Sequence, residues 1–73
     1  MPYPAQHQNP PVLERLPSVK RRTGLSRTGI YRLISEGTFP KPVKLGYASA
    51  WPEGEVSAWI NDRIAARDEC GQA

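Results

Sequence analysis

A short helix with a marked beginning and a marked end constrains this chain more than any other feature. Ser26 is a good N-cap residue, because its hydroxyl can accept a hydrogen bond from an amide that the first turn leaves unpaired. Leu25 and Ile30 have the spacing of a hydrophobic staple around that cap. Gly37 is placed to end the helix in the left-handed conformation. These signals predict a helix over residues 27–36.

The two faces of this helix differ in chemistry. Ile30, Leu33 and Ile34 recur at helical spacing and form one apolar stripe. The opposite face carries an arginine, a tyrosine and small hydroxyl groups, namely Thr28, Tyr31, Arg32 and Ser35. Arg27 lies nearer the apolar edge, but its long side chain and first-turn position keep it within reach. Such a face suits contacts to bases and phosphates, whereas an ordinary solvated face would more often carry glutamate and lysine.

A shorter helix is predicted just before this one. Pro17 suits a first helical turn and Gly24 suits the residue after a helix end, which leaves about two turns between them. A helix this short does not form in isolation, so packing of Leu16 and Val19 must hold it. The two helices together predict a helix-turn-helix over residues 16–37.

A hairpin is predicted after the second helix. Residues 43–45 alternate apolar, basic, apolar, as a half-buried strand does; residues 46–49 indicate a turn and residues 50–51 a return strand. A two-stranded ribbon is marginally stable alone, so it should lean on the helices through Phe39, Val43, Leu45 and Trp51. Three polar side chains would then be free to meet a phosphate backbone: Lys41, Lys44 and Tyr47.

Two further segments complete the predicted domain. Residues 12–16 could form a strand or an entry turn. A third helix is expected to begin near residues 52–54 and to end at about Arg67, because an amphipathic stripe runs through Val56, Trp59, Ile60 and Ile64. We interpret Trp59 as a core residue rather than an interface anchor, since two tryptophans must supply much of the buried area.

The ends of the chain should add little to the core. Residues 1–11 hold four of the eight prolines and should form a disordered or extended tail, and residues 68–73 should fray. The domain is then residues 12–67, a mainly α fold with a small β-hairpin: three helices plus a two-stranded wing. A domain this small has too little chain to enclose a deep catalytic pocket, so we do not expect an enzyme.

Metal, cofactor and disulfide sites are not expected. The one cysteine, Cys70, and the one histidine, His7, lie in opposite predicted tails. We interpret Cys70 as an incidental exposed thiol rather than a redox or dimer-linking group. The sequence has no apolar run of membrane-spanning length and no secretory apolar region, so a cytoplasmic protein without a membrane partner is expected.

Charge is strongly polarised along the chain. The net charge is +3, yet residues 15–47 carry eight basic side chains against one acid, Glu36. Residues 53–69 carry five acids against two arginines. This division gives one surface suited to a polyanion, although a solvated basic surface with no partner is the alternative that composition leaves open.

Three segments, taken in order, resemble a known family. They are T-G-L-S-R-x-x-I-Y-R-L-I, F-P-x-P-V-K-L-G and E-V-x-A-W-I, and they resemble the AlpA family of phage and prophage regulators over about residues 14–67. The resemblance implies a winged helix-turn-helix related to excisionases and to MerR-type DNA-binding domains. Its second helix would enter the major groove of double-stranded DNA, and its wing would contact the adjacent backbone or minor groove.

The resemblance also assigns positions. The recognition-helix positions fall on Ser26, Arg27, Thr28, Tyr31 and Arg32, and the basic wing positions fall on Lys41 and Lys44. Two positions depart from the family pattern: Ala48 stands where members usually carry a wing arginine, and Gly29 stands within the recognition helix. A glycine there costs about 1 kcal/mol relative to alanine, so it is either a tolerated weakness or a means of close approach to DNA.

The sequence therefore predicts a sequence-specific DNA-binding transcriptional regulator of phage or prophage origin that acts without a cofactor. Phosphate contacts are expected from Lys20, Arg21, Arg22, Lys41 and Lys44, and base contacts from Arg27, Thr28 and Arg32. The alternative is an excisionase-like recombination directionality factor that bends attachment-site DNA and recruits an integrase. A protein-interaction module is a third class. We expect dimerisation or cooperative binding to tandem sites, because one small domain gives little specificity.

Overall fold

The computed structural model describes residues 11–70. The elements follow the order β1 (Leu13–Arg15), α1 (Leu16–Thr23), α2 (Arg27–Ser35), β2 (Val43–Leu45), β3 (Ala48–Pro52) and α3 (Glu53–Cys70). The fold is mainly helical with a small antiparallel sheet, as predicted. His7, the proline-rich tail before Pro11, and residues 71–73 lie outside the described residues.

Helix α1 has the predicted ends. Pro17 occupies its first turn, where a missing amide hydrogen costs nothing. Gly24 closes it with φ at 75°, and the Gly24 amide donates to the Lys20 carbonyl at 2.8 Å. Val19 is buried in the core, so the packing expected to hold this short helix is present.

Helix α2 is fixed at both ends. The Ser26 hydroxyl accepts from the Gly29 amide at 3.0 Å, so the predicted N-cap is confirmed. The helix ends within a residue of the predicted boundary. Gly37 has φ at 81°, and its amide donates to the Ile34 carbonyl at 3.0 Å. The Thr38 amide donates to the Leu33 carbonyl at 2.9 Å. These two bonds form a Schellman motif, which pairs carbonyls that a helix end leaves open.

The sheet has three strands rather than the predicted two. Strand β3 lies in the centre, with β1 and β2 antiparallel on either side. Of the two alternatives for residues 12–16, the strand is correct, since Glu14 pairs with Trp51. Because a two-stranded ribbon is marginal in water, the pairing of β1 with the open edge of β3 stabilises the hairpin.

The turn of the β2–β3 hairpin is shorter than predicted. Gly46 and Tyr47 alone form the loop, while Ala48 and Ser49 belong to β3 and Leu45 pairs with Ala48. Gly46 has φ at 68° and Tyr47 does not have a positive φ, as in a type II′ turn. The physical reason is that such a two-residue loop matches the twist of the strands and leaves more residues in the ladder.

The core gathers aromatic rings around Trp51. The Trp51 side chain is fully buried, with its ring 6.4 Å from Phe39 and 6.2 Å from Tyr31 in edge-to-face geometry. Its Nε1 donates to the Pro40 carbonyl at 2.9 Å. Trp59 packs on the same cluster 4.9 Å from Phe39, so the interpretation of Trp59 as a core residue is confirmed.

Three predicted core contacts are wrong. Val43 is 41% exposed and Leu45 is 46% exposed, because β2 is an edge strand that only β3 covers. Of the four apolar residues expected to hold the hairpin, only Phe39 and Trp51 are buried. Ile64 is 45% exposed, because α3 continues beyond the core and every side chain of residues 61–69 is exposed.

Helix α3 is also longer than predicted. It continues past Arg67 to Cys70, so the frayed tail expected from Asp68 is helical over its first three residues. Glu53 and Glu55 lie in its first turn, where acidic side chains favour the helix dipole. No helix within residues 11–70 combines the length and the apolar character that crossing a bilayer would need.

Candidate nucleic-acid interface

The exposed face of α2 forms a shallow groove, which we call the α2 groove. It is lined by Arg27, Thr28, Tyr31 and Arg32. All four are residues that the sequence predicted for a binding face, and the structure brings them together. Both arginines are exposed, so their guanidinium groups are accessible to an incoming ligand.

A second concavity adjoins the first between the start of α1, helix α2 and the hairpin. We call it the hairpin groove, and its lining residues are Arg15, Leu16, Pro17, Arg27, Tyr31, Tyr47 and Ser49. Arg27 and Tyr31 line both grooves, so the two form one continuous surface. Neither groove is lined by an acidic side chain.

Arg27 is linked to the core through the ring of Tyr31. Its guanidinium carbon lies 5.6 Å from the centre of the Tyr31 ring, and the edge of Tyr31 packs against the buried Trp51. Tyr31 is thus half-buried rather than fully outward, because the packed face of α2 is wider than the apolar stripe alone. A cation held over an aromatic ring keeps its charge while losing some conformational freedom.

Two predicted contact residues already have partners within the helix. The Ser26 hydroxyl caps the start of α2, and the Ser35 hydroxyl donates to the Arg32 carbonyl at 2.8 Å near its end. Both side chains are exposed, so each retains capacity for a further hydrogen bond. Thr28 lies between them on the exposed surface.

The three basic residues at the end of α1 divide into two groups. Lys20 and Arg21 are exposed to solvent. Arg22 instead forms an ion pair with Glu14 of β1 and donates to the Ser57 hydroxyl of α3 at 2.6 Å. These contacts join β1, α1 and α3, and the Glu14 side chain is only 11% exposed.

The hairpin presents its polar residues unevenly. Lys41 is exposed ahead of β2, and the Lys44 ammonium donates to the Ser49 hydroxyl at 3.0 Å. Tyr47 is fully exposed at the tip. Ala48 lies in the central strand rather than in the turn, so this hairpin has no cation at its tip.

Most of the basic residues are unpaired. Within residues 11–70 there are two ion pairs, Arg22–Glu14 and Arg67–Asp68. The remaining cations of the basic window therefore present full charge to solvent: Arg15, Lys20, Arg21, Arg27, Arg32, Lys41 and Lys44. In the described part of the chain, no three His, Cys, Asp or Glu side chains are placed to hold a metal ion.

Arg15 is the charged groove residue that the sequence did not predict, and Leu16, Pro17 and Ser49 line the hairpin groove without having been predicted either. Arg15 belongs to the basic window, but the sequence of residues 12–16 does not decide between a strand and a turn and so does not indicate a face for Arg15. The signal that points to it is its position directly before Leu16 and Pro17, where a strand ends and a helix begins. Only the pairing of β1 with β3 brings that point close to Tyr47.

The arrangement agrees with a comparison across known families. The family model described as prophage CP4-57 regulatory protein (AlpA) matches residues 13–64. This range contains all three strands, both short helices and most of α3. The chain belongs to the AlpA family. The resemblance inferred from the three sequence segments is thereby confirmed.

Two relatives of this AlpA-family chain are similar in sequence. The uncharacterized protein ORF88 of Enterobacteria phage P4 is 50% identical over 54 residues, which are 73% of this chain and 61% of that protein. The DNA-binding transcriptional activator AlpA of Escherichia coli (strain K12) is 38% identical over 56 residues, which are 67% of this chain and 80% of that protein. The chain thus spans less than two thirds of the phage relative. No solved structure matches the chain.

Proposed function

We propose that this chain is a sequence-specific DNA-binding transcriptional regulator of phage or prophage origin. Its architecture is a winged helix-turn-helix, with α1 and α2 as the two helices and the β2–β3 hairpin as the wing. The observation that carries the proposal is the continuous pair of grooves, which is lined by unpaired arginines and by no acid.

Helix α2 is the recognition helix. An α-helix fits the major groove of B-form DNA. Arg27, Thr28 and Arg32 line one groove on the exposed side of α2, which supports this role. Arginine can donate two hydrogen bonds to one guanine, and a good bidentate contact is worth about 1–3 kcal/mol of discrimination. The capped ends of α2 support this role, because a helix that does not fray holds its side chains in register.

Phosphate contacts supply affinity and register. Lys20 and Arg21 at the end of α1, and Lys41 and Lys44 near the hairpin, are the exposed cations suited to this task. Each neutralised phosphate steepens the salt dependence by about 0.9 in log–log slope. Arg22 is assigned to the fold instead, because it is paired with Glu14 and Ser57.

Relatives support the same class of function. The family is one of phage and prophage regulators, and the Escherichia coli relative bears the description of a DNA-binding transcriptional activator. The charge distribution agrees with this class, since the acidic end of α3 lies apart in sequence from the basic window. A polyanion would be attracted to one part of the molecule and repelled by the other.

Selection from a random DNA library, followed by binding of the selected and a scrambled duplex over a range of salt concentrations, tests the proposal. We expect an enriched motif, tighter binding to the selected duplex and a negative salt slope. Equal affinity for both duplexes would remove sequence specificity from the proposal, and no binding at low salt would refute it.

Circularly permuted fragments of the selected site extend this test. A strong bend, together with stimulated excision by an integrase, would favour a recombination directionality factor over a transcriptional regulator. A reporter gene placed downstream of the selected site measures the regulatory outcome directly.

A further inference from the structure

The hairpin groove contains a cation that no role described so far requires. We propose that this groove binds one phosphate of the DNA backbone and that Arg15 is the residue that holds it. The inference rests on the proposed function and deepens it, because it names the part of the DNA that contacts the junction between β1, α2 and the hairpin.

Arg15 is fixed in position by the elements on both sides of it. It is the last residue of β1, where it pairs with the buried Ala50, and it is also the N-cap residue of α1. Its backbone therefore cannot move without disturbing both the sheet and a helix start. The side chain itself is exposed and has no acidic partner within residues 11–70. A rigid backbone that carries an unpaired guanidinium is suited to a fixed contact.

The lining of the groove suits a phosphate. Two arginines, Arg15 and Arg27, line it together with three residues that bear hydroxyl groups: Tyr31, Tyr47 and Ser49. A guanidinium presents its donors in a planar fork that matches phosphate oxygens, and hydroxyl groups add further donors. No carboxylate lines the groove to repel the anion.

A phosphate contact by Arg15 also leaves Arg27 available for a base contact. The side chain of Arg27 lines both grooves, so it can serve a base in one or a phosphate in the other. With Arg15 on the phosphate, Arg27 is free to contact a base edge. The hairpin residues that line this groove, Tyr47 and Ser49, carry hydroxyl groups and no cation.

Two variants of Arg15 and one matched control test the proposal on the selected duplex. Arg15→Ala should weaken binding about tenfold or more, to selected and scrambled duplexes alike, because a charge-assisted hydrogen bond is lost. Its salt slope should fall by about 0.9. Arg15→Lys should recover part of the affinity and all of the slope. Arg67→Ala removes the same charge from the acidic helix and should change affinity less than twofold.

A series of duplexes, each with one neutral methylphosphonate, supplies a readout that a purely structural role would not change. The wild-type chain should lose affinity at one phosphate to which Arg15→Ala is insensitive, with circular dichroism confirming that the variant is folded. The proposal is overturned if Arg15→Ala binds as Arg67→Ala does. It is also overturned if Arg15→Ala loses affinity at every methylphosphonate position where the wild-type chain does. A wild-type chain that binds no duplex would refute the proposed function itself. A wild-type chain that binds the selected duplex, with no effect of Arg15→Ala, would refute only the role of Arg15.

Discussion

Helix α2 and the β2–β3 hairpin both present candidate DNA contacts, but the fold holds them in opposite ways. Helix α2 buries Ile30 completely, is capped at its start by Ser26 and ends in a Schellman motif. In the hairpin, every residue of β2 is exposed and the loop consists of Gly46 and Tyr47. The hairpin is held to the rest of the molecule through β3, which pairs with β1 and buries Ala50 and Trp51.

This difference indicates which of the two elements is suited to discriminate between DNA sequences. Discrimination between bases needs side chains held in fixed register, and α2 provides that because both of its ends and its inner face are constrained. A phosphate backbone is the same for every sequence, so a hairpin that contacts it needs charge and reach rather than rigidity. The proposed assignment of base contacts to α2 and phosphate contacts to the hairpin therefore follows from how much of each element packs against the core.

Replacing Trp51 should have the largest effect, because this buried side chain of the hairpin packs against Tyr31 of α2. Trp51→Ala should destabilise the domain by about 3–5 kcal/mol, comparable with the whole stability of a chain this small. Thermal unfolding followed by circular dichroism measures it. Trp51→Phe keeps a ring in the core and loses the bond to Pro40, so it should remain folded with a lower midpoint. A Trp51→Ala variant that melts as the wild type does would contradict the shared core.

Removing the cap of α2 should have the next largest effect. Ser26→Ala should cost about 1 kcal/mol, because the Gly29 amide loses its acceptor. Urea unfolding measures the loss. Ser35→Ala is the control within the same helix, and it should stay within about 0.5 kcal/mol of the wild type because Ser35 is exposed and caps no amide. Equal effects of the two substitutions would mean that the start of α2 is not specially fixed.

Gly29→Ala distinguishes the two explanations left open for this glycine. A Cβ at this position would lie 3.4 Å from the Ser26 Oγ and 3.8 Å from the Leu25 Cδ2, which are ordinary contacts. The variant should therefore be more stable by about 0.5–1 kcal/mol. Gly54→Ala, in the first turn of α3, is the control; it should stabilise the domain without changing its affinity for DNA.

Affinity for the selected duplex then decides the reason for Gly29. Unchanged affinity would identify the glycine as a tolerated weakness, and a loss confined to Gly29→Ala would identify it as a point of close approach. A destabilised Gly29→Ala variant would contradict the packing around the cap.

The smallest effect is expected at the edge of the hairpin. Leu45→Thr should change stability by less than about 0.5 kcal/mol, because Leu45 is nearly half exposed and threonine suits a strand. Differential scanning fluorimetry is sufficient to measure it. A shift as large as that of Ser26→Ala would show that the outer face of the sheet is covered in solution.

The sequence predicted α2 far better than the sheet, for a physical reason. A cap, a staple and a left-handed glycine all act within a few residues, so Ser26, Ile30 and Gly37 were sufficient to place the helix. The pairing of Glu14 with Trp51 joins distant parts of the chain and leaves no local signal. The exposure of Leu45 follows from that pairing, since it depends on which strand lies at the edge.

The same distinction applies to the candidate site. All four residues of the α2 groove were predicted from one helix. Thr28, Tyr31 and Arg32 share its polar face, and Arg27 lies in its first turn. Arg15 was missed because it reaches the hairpin groove only through the sheet. Arg22 was expected to contact phosphate, and only the structure reveals its pairing with Glu14.

The central claim is that α2 specifies the DNA sequence while the hairpin supplies affinity, and one set of binding curves tests it most directly. Arg27→Ala, Arg32→Ala and Lys44→Ala are titrated with the selected and the scrambled duplex at several salt concentrations. The account predicts that the two arginine variants lose about 1–3 kcal/mol more on the selected duplex than on the scrambled one. Lys44→Ala should weaken both equally and lower the salt slope by about 0.9. Equal losses on both duplexes for all three variants would contradict the account.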